Sequence, residues 1–122
     1  MSKKNVLIVE DEAIIALELK LRLEQMGFSV LSIVPSADLA IEKIQLEDPD
    51  VIFMDIVLRG HETGIDVAKT IRKVSKTPII FLTGNVHLLQ KGLVKKFQPC
   101  RLLSKPAQDW ELVEAIRELG MN

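Results

Sequence analysis

The chain has 122 residues, with 16 Lys and Arg residues against 17 Asp and Glu residues, and its apolar share of 48% can supply the core of one domain over residues 1–122. The formal net charge of −1 argues against direct nucleic-acid binding, which usually requires a basic surplus on one face. The single cysteine, Cys100, fits a reducing compartment. The first residues are too poor in apolar side chains for a signal peptide or a membrane span. We therefore expect a cytoplasmic protein without membrane insertion.

Five short apolar runs predict the strands of a parallel sheet that is buried on both faces. They are residues 6–9, 30–34, 51–54, 79–82 and 102–103. Each gap between successive runs has room for one helix, and this alternation places helices on both faces of the sheet. The second run is broken by Ser32 and the fifth is very short, so both are expected at the edges. We therefore predict a flavodoxin-like (βα)5 doubly wound five-stranded parallel sheet with strand order 2-1-3-4-5.

The first predicted helix spans residues 12–26, which contain no Gly or Pro and many strong helix formers. Its apolar residues occupy two sides. Ile14, Leu17 and Leu21 point one way, whereas Ile15, Leu19 and Leu23 point another. Only one side can cover the sheet, so the other is left for neighbouring loops or for a partner.

The later helices carry clearer apolar stripes and end signals. Ser36 is a predicted N-cap, and Gly27 stands where a helix C-terminal glycine is expected. One stripe contains Val67, Ala68, Ile71 and Val74, and the stripe of the last helix contains Leu112, Val113, Ile116 and Leu119. Trp110, at the start of the last helix, is expected to pack against the rest of the domain.

Polar residues follow the ends of four predicted strands. The first strand leads into Glu10 and Asp11, the third into Asp55, the fourth into Thr83 and the fifth into Lys105. The carboxyl ends of parallel strands meet at one edge of the sheet, where ligands of such folds bind. Taken alone, each residue has an ordinary structural explanation, such as a helix cap or a surface charge. Their coincidence at one edge indicates a site.

Four segments carry a resemblance over essentially the whole chain: VLIVEDE at residues 6–12, PDVIFMDI at 49–56, PIIFLTG at 78–84 and KP at 105–106. Together they resemble the receiver domain of two-component response regulators. The resemblance implies three catalytic residues, namely the phosphoacceptor Asp55, the switch hydroxyl of Thr83, and Lys105. It implies four ligands of Mg²⁺, namely the side chains of Glu10, Asp11 and Asp55 and the backbone carbonyl of Val57. It also implies a cis peptide bond before Pro106.

A protein of this kind would accept a phosphoryl group from a sensor histidine kinase or a histidine phosphotransfer protein and would signal to a downstream effector. It would catalyse its own aspartyl phosphorylation and dephosphorylation without being a conventional enzyme. The protein could also form a dimer.

Three alternatives share parts of the pattern. A flavodoxin-like FMN-binding protein has the same strand order, but Glu10 and Asp11 would repel the flavin phosphate. An aspartyl-phosphate hydrolase of the dehalogenase type needs a second Asp two residues after the first, where this chain has Val57. A docking module that has lost phosphorylation would not need the complete set of polar residues.

Overall fold

Apolar strands alternate with helices along the chain, as the sequence predicts. The computed structural model describes residues 4–56, 63–84 and 95–120. The elements in these ranges are β1 (Asn5–Val9), α1 (Ala13–Gln25), β2 (Ser29–Val34), α2 (Ala37–Glu47), β3 (Val51–Asp55), α3 (Gly64–Arg72), β4 (Ile79–Thr83), β5 (Cys100–Ser104) and α4 (Asp109–Gly120). The helix expected between the fourth and fifth strands falls mainly on residues 85–94, outside the described residues.

The five strands form one parallel sheet in the order β2-β1-β3-β4-β5, which confirms the predicted topology. The uninterrupted apolar strands β1, β3 and β4 are central, and every residue of β3 and β4 is buried. The two weaker strands, β2 and β5, lie at the edges, as expected. Central strands need apolar residues at consecutive positions because helices cover both of their faces.

Each face of the sheet supports its own apolar core. On one face, β1 and β3 contribute Leu7 and Met54 to a core shared with α2 and α3. On the other, Ile8 and Phe53 belong to a core shared with α1 and α4. Successive side chains of a strand alternate between faces, so one strand supplies both cores. None of the described helices is long and apolar enough to cross a membrane.

Helix α1 confirms the prediction that only one of its two apolar sides covers the sheet. Leu19 and Leu23 are buried, although Ile15 of the same predicted side is 37% exposed. On the other side, Leu17 and Leu21 are exposed and Ile14 is 85% exposed. The expectation for Trp110 is wrong, because 66% of this residue is exposed. It lies in the first turn of α4, where Leu112 already fills the position facing the core.

A single arginine at the end of α3 holds together the amino-terminal edge of the sheet. The Arg72 guanidinium donates to the backbone carbonyls of Ser75 and Thr77, at 3.2 and 2.7 Å, and to those of Phe97 and Pro99, at 2.9–3.1 Å. These carbonyls belong to the segments that lead into β4 and β5. The five-donor fork of arginine can satisfy several such acceptors at once.

We expect Arg72→Met to lower the free energy of unfolding by about 2–4 kcal/mol, because it leaves several carbonyls without their donor. Urea unfolding monitored by circular dichroism measures this loss. Lys69→Met, an exposed change in the same helix, is the control and should change stability by less than about 0.5 kcal/mol. Equal stability of the two variants would contradict a structural role for Arg72.

Candidate functional site

The strand register brings the predicted polar residues to one edge of the sheet. Val9 of β1 is paired with Met54 of β3, so the residues that follow them, Glu10 and Asp55, are neighbours. Asp55 is in turn paired with Leu82 of β4, which immediately precedes Thr83.

Strand β5 completes this edge. Thr83 is paired with Ser104, and Lys105 comes directly after it. The predicted catalytic residues, which are distant in sequence, are therefore collected at the carboxyl ends of adjacent strands.

Lys105 and Asp55 are in direct contact. The Lys105 Nζ atom lies 2.5 Å from the Oδ2 atom of Asp55. Asp55 is 9% exposed, and the peptide bond between Lys105 and Pro106 is cis, as the resemblance implies. A charge-assisted hydrogen bond of this kind stabilises a carboxylate at the edge of an apolar core.

Glu10 places a second carboxyl group against Asp55. Glu10 is 6% exposed, and its Oε1 atom accepts a hydrogen bond from the backbone N–H of Glu12 at 2.9 Å. Burial raises the pKa of Glu10 from its ordinary value of 4.5 to about 7. The adjacent Asp55 carboxyl raises this pKa as well, whereas the Glu12 N–H and the Lys105 ammonium lower it.

Thr83 is the most deeply buried polar residue of the edge, at 2% exposed. Its backbone carbonyl accepts a hydrogen bond of 2.7 Å from the backbone N–H of Lys105. This bond links the end of β4 to the start of the segment that carries Lys105. The hydroxyl and the ammonium are thus held on adjacent strands.

The remaining predicted metal ligands are Asp11 and Val57. Asp11 directly follows Glu10, and its Oδ1 atom is shielded from solvent. Val57 lies outside the described residues. Within the described part of the chain, no three acidic, histidine or cysteine side chains are grouped closely enough to hold a metal ion as they stand. The donors nevertheless suit Mg²⁺, because this ion commonly uses one or two carboxylates, completed by water and phosphate oxygens.

Gly64 is a further residue of this site, and the sequence did not reveal its structural role. A β-carbon added to Gly64 would lie 2.2 Å from the carbonyl oxygen of Asp55 and 2.7 Å from the Cα atom of Ile56. Its N–H donates to the carbonyl of Ile56 at 2.7 Å, and Thr63 and Asp66 form a capping box at the start of α3. The amino terminus of α3 is therefore packed directly against the backbone of the candidate phosphoacceptor. The sequence signal that could have indicated this close packing is a glycine directly after Thr63, the N-cap of α3.

We expect Gly64→Ala to lower the free energy of unfolding by about 2–3 kcal/mol, since the added methyl group must displace the backbone at Asp55 or α3 itself. Chemical denaturation provides the measurement. Gly84→Ala is the matched control, because a β-carbon at Gly84 would meet nothing within 4 Å. If both alanine variants were as stable as the wild type, the close approach at Gly64 would carry no energetic cost.

The raised pKa of Glu10 predicts a pH-dependent cost in the metal-free protein. The folded state binds a proton on the Glu10 carboxyl more tightly than the unfolded chain does. Protonated Glu10 therefore contributes stability that is fully present below pH 4.5 and is lost as the pH rises through about 7. Glu10→Gln keeps a neutral side chain at every pH. Relative to wild type, its stabilising effect should be about 2–3 kcal/mol larger at pH 8 than at pH 5.

Urea unfolding at both pH values, in buffer with a chelator, tests this expectation. Glu42→Gln, at an exposed position of α2, controls for the loss of one negative charge. A difference between Glu10→Gln and wild type that stays the same at pH 5 and pH 8 would show that the ionisation of Glu10 carries no such cost.

Solved structures of receiver domains share this architecture. The receiver domain of a modulated diguanylate cyclase from Desulfovibrio desulfuricans has a TM-score of 0.85 and 28% identity, over 98% of this chain and 95% of that chain. The response regulator domain of CheB from Thermotoga maritima has a TM-score of 0.81 and 25% identity, over 99% and 98%. A CheY-like receiver domain from Methylobacillus flagellatus, at 24% identity over 97% and 99%, has the same fold with a TM-score of 0.83.

A family model for the response regulator receiver domain matches residues 6–117, which include every predicted strand and each of the candidate site residues. The match agrees with the strand order and with the polar edge described above. The chain therefore belongs to the response regulator receiver domain family.

Proposed function

We propose that residues 1–122 act as one receiver domain of a cytoplasmic phosphorelay, in which Asp55 accepts a phosphoryl group with the help of Mg²⁺. The donor would be a sensor histidine kinase or a histidine phosphotransfer protein. The contact between Lys105 and Asp55, with the Glu10 carboxyl beside it, is the observation that carries this proposal. The membership of the chain in the receiver family supports it.

The chemistry assigns different roles to the residues of the site. A carboxylate oxygen of Asp55 forms a bond to the phosphorus atom, and the bond between phosphorus and the donor nitrogen breaks, with its electron pair leaving on the histidine. The Lys105 ammonium, already within hydrogen-bonding distance of Asp55, balances negative charge on the phosphoryl oxygens.

The charge of the site explains why a cation is part of the proposal. A phosphorylated Asp55 carries a charge of roughly −2, so together with ionised Glu10 and Asp11 the site would reach roughly −4, against +1 from Lys105. Two carboxylates 4 Å apart repel by about 4 kcal/mol at an effective dielectric constant near 20. The side chains of Glu10, Asp11 and Asp55 and the carbonyl of Val57 would hold Mg²⁺, which supplies positive charge for the developing phosphoryl oxygens.

The proposed signal leaves the site through Thr83. Its hydroxyl, at the buried end of β4, would hydrogen-bond a phosphoryl oxygen and so connect the phosphorylation state to the segment after β4. The exposed apolar side of α1, with Ile14 and Leu17, begins close to this edge and offers a surface that a phosphodonor protein can bury. The related domains come from proteins as different as a diguanylate cyclase and CheB.

Mass spectrometry after incubation with acetyl phosphate and Mg²⁺ tests the proposal. The wild-type protein should gain the mass of one phosphoryl group, and Asp55→Asn should gain none, because an amide does not form the acyl phosphate. Asp38→Asn, at an exposed position in the first turn of α2, is the matched control and should gain the group as wild type does. A gain of the same mass by Asp55→Asn would place the acceptor elsewhere. No gain by the wild type would favour a phosphorylation-independent docking module.

A further inference from the structure

Arg22 of α1 connects this helix to the segment that carries Lys105. Its Nη2 atom donates to the backbone carbonyl of Ala107 at 2.7 Å. The same guanidinium donates to the Oδ1 atom of Asp109 through Nε at 2.9 Å and through Nη2 at 2.6 Å. Its Nη1 atom lies 3.7 Å from Glu18 on the preceding helical turn. The Arg22 side chain is 29% exposed; its hydrogen bond to Ala107 is partly buried, whereas its bonds to Asp109 are exposed.

The segment held by Arg22 begins two residues before Ala107. At its start, the backbone N–H of Lys105 is bonded to the Thr83 carbonyl. At its end, the backbone N–H of Gln108, the residue before α4, donates to the Oε1 atom of Glu111 at 2.9 Å. Within the described residues, one hydrogen bond joins α1 to the backbone between these two ends of the segment. It is the bond from Arg22 to the Ala107 carbonyl.

Packing between α1 and the segment is partial. Leu19 and Ala107 belong to one buried core, but a cavity of about 390 Å³ lies beside them. Ile15 and Leu19 of α1, Lys105 and Ala107 of the segment, and Asp55 of the candidate site all line this cavity. Atoms that face an unfilled space lose van der Waals contacts, so apolar packing holds this part of the segment less tightly than a filled core would. Arg22 also lines this cavity and bridges it with a hydrogen bond.

We infer that Arg22 is a positioning residue, which fixes the backbone of the Lys105–Ala107 segment so that the Lys105 ammonium reaches the phosphoryl site on Asp55. The inference rests on the proposed roles of Lys105 and Asp55. The lysine side chain is a flexible four-carbon stem, so the backbone from which it starts largely determines where its ammonium lies. Small displacements of a reacting or charge-stabilising group lower rates strongly.

The test measures the rate at which acetyl phosphate, with Mg²⁺, phosphorylates Asp55 as acetate leaves with the electron pair of the broken bond. Arg22→Met removes every donor, and we expect a rate about tenfold lower than that of wild type. Arg22→Lys retains a charged donor that can reach one of the two partners, and it should recover part of the rate. Arg101→Met removes a comparable arginine, paired with Glu118 on the exposed side of β5 and α4, and it should phosphorylate as wild type does.

A double-mutant cycle separates positioning from a general loosening of the fold. In a Lys105→Met background, Arg22→Met should cause no further loss of rate, because the group that it positions is already absent. Calorimetric titration with Mg²⁺ alone should give the Arg22→Met protein an affinity no weaker than that of wild type, since neither residue is a proposed ligand.

Three outcomes would overturn the inference while leaving the proposed function intact. The first is a wild-type phosphorylation rate for Arg22→Met. The second is an equally large further loss of rate when Arg22→Met is added to Lys105→Met. The third is a loss of Mg²⁺ affinity in Arg22→Met that accompanies its loss of rate. A wild-type protein that takes up no phosphate from acetyl phosphate would instead overturn the proposed function, and the inference with it.

Discussion

The buried contact between the carboxyl groups of Glu10 and Asp55 is the constraint on which the rest of the site depends. Glu10 directly follows the central strand β1 and Asp55 ends the central strand β3, so the apolar core that stabilises the sheet also removes water from the two acids. Lys105 contributes one positive charge, which cannot balance two ionised carboxylates. As the pH rises through about 7 and Glu10 ionises, the site therefore carries an excess of negative charge, which a bound cation would relieve.

Two arginines organise the loops at opposite ends of the same sheet. Arg72 binds backbone carbonyls at the entrances to β4 and β5, and Arg22 binds a carbonyl just beyond the exit of β5. A backbone carbonyl exists at every position regardless of side chain, so these contacts tolerate sequence change in the loops that they hold. Hydrogen bonds between neighbouring strands hold the strands themselves in place. The arginines hold the irregular segments before and after β4 and β5, which lack such bonds along most of their length.

The strands and their order were predictable because continuous apolar runs are required only where helices cover both faces of a sheet. The meeting of Glu10, Asp55, Thr83 and Lys105 followed from the same rule, since parallel strands end at one edge. The Arg72 contacts and the Arg22 contact with Ala107 were not predictable, because their acceptors are backbone atoms that leave no trace in the residue type. The close approach of Gly64 depends on the angle at which α3 meets β3, which periodicity does not encode. Trp110 was misassigned because, in the first turn of a helix, an aromatic residue does not itself indicate which side is covered.

The exposure of Trp110 also has a practical consequence. It is the chain's single tryptophan, and the sequence contains no tyrosine. Excitation at wavelengths longer than those that phenylalanine absorbs therefore produces fluorescence from this one position. That position directly follows Asp109, the carboxylate held by Arg22. The chain thus carries its own optical probe next to the junction of α1 and α4, and emission spectra can follow events at this junction without any attached dye.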